Sequence, residues 1–151
     1  MNIKYSDVCE IQSYKDIFIQ MSNRLENYIN DMIHENYRLQ NIYETIIEDY
    51  KCYIEHKCKI IVAYDDLTPI GIIVFWQDED DHGYINILFL DDNYRHSNIG
   101  TNLFERVYMW FEKNEATSIS VGTPAKNKLA RKFYEKLGFI EESINYMYSI
   151  K

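Results

Sequence analysis

The segment that decides the fold is residues 88–101, LFLDDNYRHSNIGT. Three large apolar residues typical of a buried strand lead into a polar loop, and an apolar helical stripe begins at Ile99. A strand that passes through a tight loop directly into a helix aims free backbone N–H groups and the positive end of the helix dipole at one point. This arrangement favours a bound anion such as a pyrophosphate. Many strand–helix crossovers share it, so the loop alone does not identify the ligand.

Two familiar phosphate sites fit this segment poorly. A Rossmann dinucleotide site uses the glycine spacing G-x-G-x-x-G, whereas this loop holds Gly100 as its one glycine. A Walker loop ends in Gly-Lys-Ser/Thr, and that sequence is absent from the chain.

Outside this segment, the hydrophobic pattern alternates between helical spacing and β-type runs. Strands are predicted at roughly 2–9, 59–64, 70–76, 84–90, 118–122 and, as one or two strands, 139–150. Helices are predicted over 14–32, 39–50, from about 98 to 111, and 129–137 with Gly138 after its end. The hairpin around Asp65–Pro69 and the apolar strand 84–90, expected to be buried on both faces, place a sheet at the centre. The order of elements predicts a mixed α/β or α+β fold.

Length and composition indicate one ordinary globular domain spanning residues 1–151, with 46% hydrophobic residues and a net charge of −8. The acidic balance argues against a nucleic-acid partner, because neutralising phosphates needs a basic surface. Three cysteines without a CxxC pair argue against a zinc site and a disulfide framework, so no metal is expected. With no apolar signal core, and with 70–76 as the longest apolar run, we expect no membrane association and a cytoplasmic location.

A second segment, residues 127–139 with the sequence NKLARKFYEKLGF, resembles the N-x-x-A-x-x-F-Y-E-K-L-G-F signature of the GNAT superfamily of acyl-CoA-dependent N-acyltransferases. The R-x-x-N-x-G of residues 95–100 then resembles that family's R/Q-x-x-G-x-G/A acyl-CoA loop. The resemblance is specific over 84–140. It implies a central, mostly antiparallel sheet of six or seven strands with about four helices.

The resemblance also implies acetyl-CoA as co-substrate and assigns its contacts. A strand edge would pair with the pantetheine arm, a loop would hold the pyrophosphate, and Asn127 would contact the cofactor near the thioester. These cofactor-binding positions are Leu88, Phe89, Leu90, Arg95, His96, Ser97, Asn98, Ile99, Gly100, Thr101 and Asn127. Asn127 could instead be a helix N-cap, but Thr123 with Pro124 offers a competing cap that would free it for the ligand.

By the same resemblance, Tyr134 is the expected catalytic residue, the group that protonates the departing thiolate. A thiol has a pKa of about 8.5 and a phenol about 10, so a positioned tyrosine hydroxyl can donate to the developing thiolate. The expected reaction is direct transfer of an acetyl group to a primary amine in a ternary complex, with no covalent enzyme intermediate.

The sequence departs from the family pattern at two positions. Asn98 replaces the commoner loop glycine, and asparagine tolerates left-handed backbone angles better than most residues. Asn86 stands on the strand where many members carry a glutamate that helps to deprotonate the amine, and an amide cannot be that base. The remaining base candidates are Glu35, Asp78, Glu79, Asp80, Asp81, Glu141 and Glu142.

Charge patterning suggests the acceptor. Residues 77–92 hold six acidic residues and no Lys or Arg, whereas 124–136 hold five basic residues against Glu135. We therefore expect a small cationic amine, with family precedent placing it between the first two helices and the last strands. The predicted acceptor-binding residues are Glu35, Tyr37, Glu142 and Tyr146.

Two other functions stay open at this point. A fold relative could bind acyl-CoA without chemistry, since Asn98 and Asn86 both depart from the pattern. A toxin that acetylates aminoacyl-tRNA is disfavoured by the net charge of −8. Dimers are common in the family, so a homodimer is an open expectation.

Overall fold

A computed structural model describes residues 1–150 of the chain. Six strands and four α-helices follow one another along it, with short 3-10 turns at 11–14, 35–37 and 92–94. The strands are β1 (Ile3–Tyr5), β2 (Cys9–Glu10), β3 (Lys59–Asp65), β4 (Thr68–Gln77), β5 (His82–Leu90) and β6 (Ser118–Val121). The helices are α1 (Lys15–Asn30), α2 (Ile42–Glu55), α3 (Ile99–Lys113) and α4 (Lys128–Leu137).

The sheet has the order β1-β3-β4-β5-β6, and β2 pairs with the other end of β3. All pairings are antiparallel except the parallel pairing of β5 with β6, which needs the crossover helix α3. The mostly antiparallel six-stranded sheet with four helices confirms the predicted fold class.

Two apolar clusters cover the two faces of the sheet. Phe18 and Met21 of α1 and Ile46 of α2 pack on one face, and Leu103 and Phe111 of α3 pack on the other. Strand β5 contributes to both clusters, as its apolar sequence predicts, and Asn86 is its exposed residue. Strand β5 therefore lies between two layers of helices, near the open edge of the sheet.

The structure corrects two of the predicted elements. The opening strand at 2–9 is two short strands. The N–H of Ser6 still donates to the Val62 carbonyl at 2.8 Å, but the N–H of Val62 donates to the Ser6 hydroxyl at 2.9 Å and not to a backbone carbonyl, so the ladder is interrupted. The one or two strands expected over 139–150 are absent from the described residues, where this segment has no regular structure. Its alternating apolar pattern suits a strand, but Ile144, Tyr146 and Tyr148 are all exposed, so no core packs against this pattern. Among the described helices, none is both long and apolar enough to cross a bilayer.

Candidate active site

The site begins where β5 and β6 part. The two strands pair only from His82 with Ser118 to Ile85 with Val121. On the other side of β5, the register with β4 shifts, so that Phe75 lies opposite Ile85 and Val74 lies opposite Ile87. Asn86 is the extra residue of this β-bulge, and bulges bend a strand and increase its twist. In the part of the chain that the structure describes, residues 86–90 have no strand partner on the side away from β4.

The backbone of this free edge can be assigned by alternation. The N–H of Asp91 donates to the carbonyl of Ile70 at 2.8 Å, so Asp91 and Phe89 direct their backbone groups toward β4. Leu88 and Leu90 then direct theirs to the free side. The Leu90 carbonyl accepts a hydrogen bond from Nε of Arg95 at 3.3 Å. The N–H and C=O of Leu88 and the N–H of Leu90 remain for an extended ligand that carries amide groups.

Of the three strand residues predicted to bind the cofactor, two therefore lie at the free edge through their backbone. Phe89 contributes differently. Its carbonyl faces Gly71, where an added Cβ would lie only 2.8 Å from the oxygen, and its side chain is buried in the α1–α2 cluster. Phe89 anchors the strand, and its contact with a cofactor stays a prediction.

The loop after β5 uses two left-handed residues, His96 and Asn98, each with φ of 64°. Asparagine is among the few residues that adopt this conformation readily, so the backbone angle expected at Asn98 is present. Ser97 donates its hydroxyl to the Tyr94 carbonyl. These residues shape the loop, and their contact with a ligand remains a prediction.

The N-terminus of α3 is left open by this loop. Asn98 is its N-cap residue, but the side chain makes no capping hydrogen bond and the first turn carries no acidic residue. Within residues 1–150, no carbonyl accepts from the N–H groups of Ile99, Gly100 or Thr101. By contrast, the side chains of Asn41 and Asn127 cap α2 and α4. Three free N–H groups at the positive end of a helix suit a phosphate oxygen.

Gly100 serves the packing of α3 against α4. A Cβ added at this position would lie 3.4 Å from two ring atoms of Phe133. The glycine therefore lets Phe133, next to the predicted catalytic residue Tyr134, approach the first turn of α3.

Asn127 proves to be the N-cap of α4. Its side-chain oxygen accepts the N–H of Ala130 at 3.2 Å, and only 8% of the residue is exposed. The expectation that Thr123 and Pro124 would supply the cap was wrong, because the helix begins at Lys128. The amide NH2 of Asn127 takes no part in this cap, and its contact with a ligand stays a prediction.

Tyr134 lies on α4, edge-on to the ring of Phe139 at 5.6 Å between centroids. Burial raises its pKa to about 12. Burial is the one cause of this shift, with no hydrogen bond and no neighbouring charge among its causes. A hydroxyl that keeps its proton at neutral pH is what a proton donor to a thiolate requires.

The candidates for the general base differ in the contacts that their carboxylates make. Asp78 accepts the N–H groups of Asp80 and His82 and the hydroxyl of Tyr84, all at 2.9 Å. These hydrogen bonds, led by the His82 N–H, lower its pKa and make it a poor base. Glu141 is paired with Arg131 at 2.9 Å.

Two carboxylates that the sequence analysis did not single out have environments closer to those of a base. Burial raises the pKa of Glu26 on α1, with a contribution from Asp49 on α2, and burial also raises the pKa of Asp49. Just before β3, the thiol of Cys58 lies 4.0 Å from the side-chain oxygen of Asn86 at the bulge. Helical periodicity marks neither acid, since both stand between apolar positions of their helices.

The four predicted acceptor-binding residues are not brought together by any contact among the described residues. Glu35 and Tyr37 form the exposed 3-10 turn between α1 and α2. Glu142 and Tyr146 lie in the exposed C-terminal segment that carries no strand. Their role in binding an acceptor stays a prediction.

A sequence profile of the acetyltransferase (GNAT) family matches residues 24–139, which include the free edge of β5, the loop and α4. The chain belongs to this family. The GNAT assignment confirms the resemblance that the two motifs carry in the sequence.

Comparison with individual proteins agrees with the family. Human N-alpha-acetyltransferase 30 is 35% identical over 66 residues, which make up 44% of this chain but only 18% of that protein. The Xenopus laevis protein of the same name is 33% identical over 66 residues and is covered over 24% of its length. The chain thus matches less than a third of these relatives' length.

Solved structures share the fold along almost the whole chain. The PaiA N-acetyltransferase of Thermoplasma acidophilum, solved in complex with coenzyme A, has a TM-score of 0.76 at 20% identity, covering 96% of this chain and 94% of that one. A GNAT-family acetyltransferase from Staphylococcus aureus has a TM-score of 0.73 at 21% identity, covering 93% and 86%. At such identities the likeness shows the fold alone.

Proposed function

We propose that this GNAT acetyltransferase transfers an acetyl group from acetyl-CoA to a primary amine by direct transfer in a ternary complex. The observation that carries the proposal is the continuous path from the free edge at Leu88 to the uncapped first turn of α3. A strand edge suits the amides of a pantetheine arm, and a helix N-terminus suits a pyrophosphate. The coenzyme A complex of the Thermoplasma acidophilum relative supports the same ligand.

Each part of the path would have a separate task. The backbone of Leu88 would align the arm, and the N–H groups of Ile99, Gly100 and Thr101 would hold the diphosphate. Tyr134 would donate its proton to the sulfur as the bond between carbon and sulfur breaks. The amine must arrive neutral, so a carboxylate or water has to take its proton first.

A small cationic amine is the acceptor class that the charges favour. The loop between β4 and β5 carries Asp78 to Asp81, and β5 is followed by Asp91 and Asp92. Basic residues concentrate instead on α4 and just before it. An ammonium group is drawn to the acidic side, and the effect weakens as salt screens it.

Release of coenzyme A should be measured with acetyl-CoA and a panel of amines at low and high salt. The panel contains spermidine, an aminoglycoside, a lysine peptide, a peptide with a free α-amine, and glutamate. We expect turnover with the cationic small molecules and a fall in kcat/KM with salt. Equal turnover of glutamate would contradict the cationic acceptor. Coenzyme A binding without turnover of any amine would indicate that the protein binds acyl-CoA but is not an enzyme.

A further inference from the structure

Helix α1 holds the first residue after β5 through a two-point ion pair. One guanidinium nitrogen of Arg24 lies 2.7 and 2.8 Å from the two carboxylate oxygens of Asp91. The backbone N–H of Asp91 is itself bonded to Ile70 of β4 at 2.8 Å. Arg24 therefore fixes the point at which the chain leaves the sheet and enters the loop.

The same face of α1 makes a second contact with the loop, four residues further along both the helix and the loop. The guanidinium of Arg95 lies over the ring of Tyr28, 5.1 Å from its centroid. Arg95 also contacts Asp92 at 3.0 Å and the Leu90 carbonyl at 3.3 Å. Because Arg24 and Tyr28 are one helical turn apart, they contact the loop from the same face of α1.

On the opposite side the loop is tied to the β3–β4 turn. The hydroxyl of Tyr94 donates to Asp65 at 2.7 Å, and Tyr94 packs against the α3 cluster. The loop thus lies between one anchor at Asp65 and two anchors on α1.

Apolar packing does not fill the space between α1 and the loop. A groove of about 340 Å³ that is open to solvent lies there, and the residues of the two α1 anchors line it together with Asn23, Asn27, Phe89 and Asp92. Where packing is incomplete, individual polar contacts decide how firmly a segment is held. The Arg24–Asp91 ion pair, at 2.7 Å, is a direct polar contact across this groove.

We infer that Arg24 is a positioning residue for the acyl-CoA loop, acting through Asp91 and not through contact with the reacting atoms. The inference rests on the proposed function, since it assumes that the loop and the start of α3 bind the diphosphate. Loss of the ion pair would let residues 91–98 sample more conformations, so that fewer molecules present the three N–H groups of α3 correctly. Affinity for coenzyme A would fall, while chemistry in the saturated complex would be unchanged.

The test compares Arg24→Met, which keeps the aliphatic stem, with Arg24→Lys, which keeps the charge. The ion pair Lys59–Glu10, 3.6 Å long and on β3, supplies the matched control Lys59→Met. Coenzyme A affinity is measured by calorimetry, and hydrogen exchange of residues 91–101 is measured without ligand. For Arg24→Met we expect about 3–10-fold weaker binding, faster exchange in this segment, and kcat at saturating acetyl-CoA within about twofold of wild type. Arg24→Lys should recover part of both losses, and Lys59→Met should show neither.

A double-mutant cycle with Asp91→Asn tests whether Arg24 acts on coenzyme A binding through Asp91. If the pair acts as one unit, Arg24→Met/Asp91→Asn should bind coenzyme A no more weakly than the weaker single variant. Weaker binding without faster exchange would mean that Arg24 contacts the ligand, which overturns a positioning role. Unchanged binding in Arg24→Met also overturns it. Failure of the wild-type protein to bind coenzyme A would instead refute the proposed function, and the inference with it.

Discussion

Ile85 and Val121 form the last pair between β5 and β6, and Val121 is also the last residue of β6. The next residue of β5 is Asn86, at the bulge where β5 gains one residue relative to β4. Because a bulge bends its strand, β5 changes direction at the point where its pairing with β6 stops. The open edge is therefore built by the strands themselves. It ends at the loop whose two left-handed residues expose the start of α3.

The free edge can be tested by removing one N–H. In Leu88→Pro the N–H that points away from β4 is lost, while the ladder between β4 and β5 keeps its hydrogen bonds. We expect the protein to fold and coenzyme A affinity to fall about tenfold or more, measured by calorimetry. Leu88→Ala keeps the backbone and should bind nearly as well as wild type. Equal affinity in the proline and alanine variants, with both folded, would show that the ligand does not pair with this edge.

Tyr134→Phe tests the proton donor. The variant loses the hydroxyl and little volume, so kcat should fall about 10–10³-fold with little change in KM for acetyl-CoA. Since burial raises the pKa of Tyr134 to about 12, the hydroxyl keeps its proton at any pH well below that value. Wild-type kcat should therefore show no decline from loss of this proton between pH 7 and about 10. A kcat in Tyr134→Phe close to that of wild type would assign protonation of the thiolate to water.

The parts of the site that could be predicted were those encoded by local sequence. The run 88–90 predicts a buried strand, and Asn98 stands where a left-handed angle is needed, which asparagine tolerates. The cap of α4 is ambiguous in the sequence, because Thr123-Pro124 and Asn127-Lys128 are both acceptable helix starts. Choosing between them needs the three-dimensional path of the chain after β6.

The features that the sequence did not reveal depend on contacts between distant segments. Arg24 and Asp91 are 67 positions apart, and no local pattern pairs them. The raised pKa values of Glu26 and Asp49 arise because α1 packs on α2 and buries both acids. The C-terminal segment shows the opposite failure, since its alternating pattern predicts a strand but its apolar side chains pack on no core.

Gly100 gives a prediction about coupling between the loop and α4. A single added carbon would touch the ring of Phe133 at 3.4 Å, an ordinary contact, so Gly100→Ala should fold and keep most activity. Gly100→Val adds branches that must push Phe133 away and shift the neighbouring Tyr134. We expect a larger drop in kcat for valine than for alanine, by about tenfold, together with a lower Tm. Equal kcat values for the two variants would show that Gly100 does not influence the position of Tyr134.

The carboxylates of Glu26 and Asp49 should make the protein less stable as the pH rises. Burial raises the pKa of Glu26 above its ordinary value of 4.5, so between those two values the folded protein binds more protons than the unfolded chain. Stability then falls as pH increases through that window, and the full cost of the buried charge persists above it.

Glu26→Gln removes the charge and should raise Tm at pH 7–8 by about 1–4 °C, allowing for solvent screening of a half-buried group. The gain should vanish near pH 4, where wild-type Glu26 is protonated in the folded state. Glu105→Gln on α3 is the matched control, because its side chain is exposed. A Tm difference between Glu26→Gln and wild type that is independent of pH would mean that the substitution acts through packing and not through the buried charge.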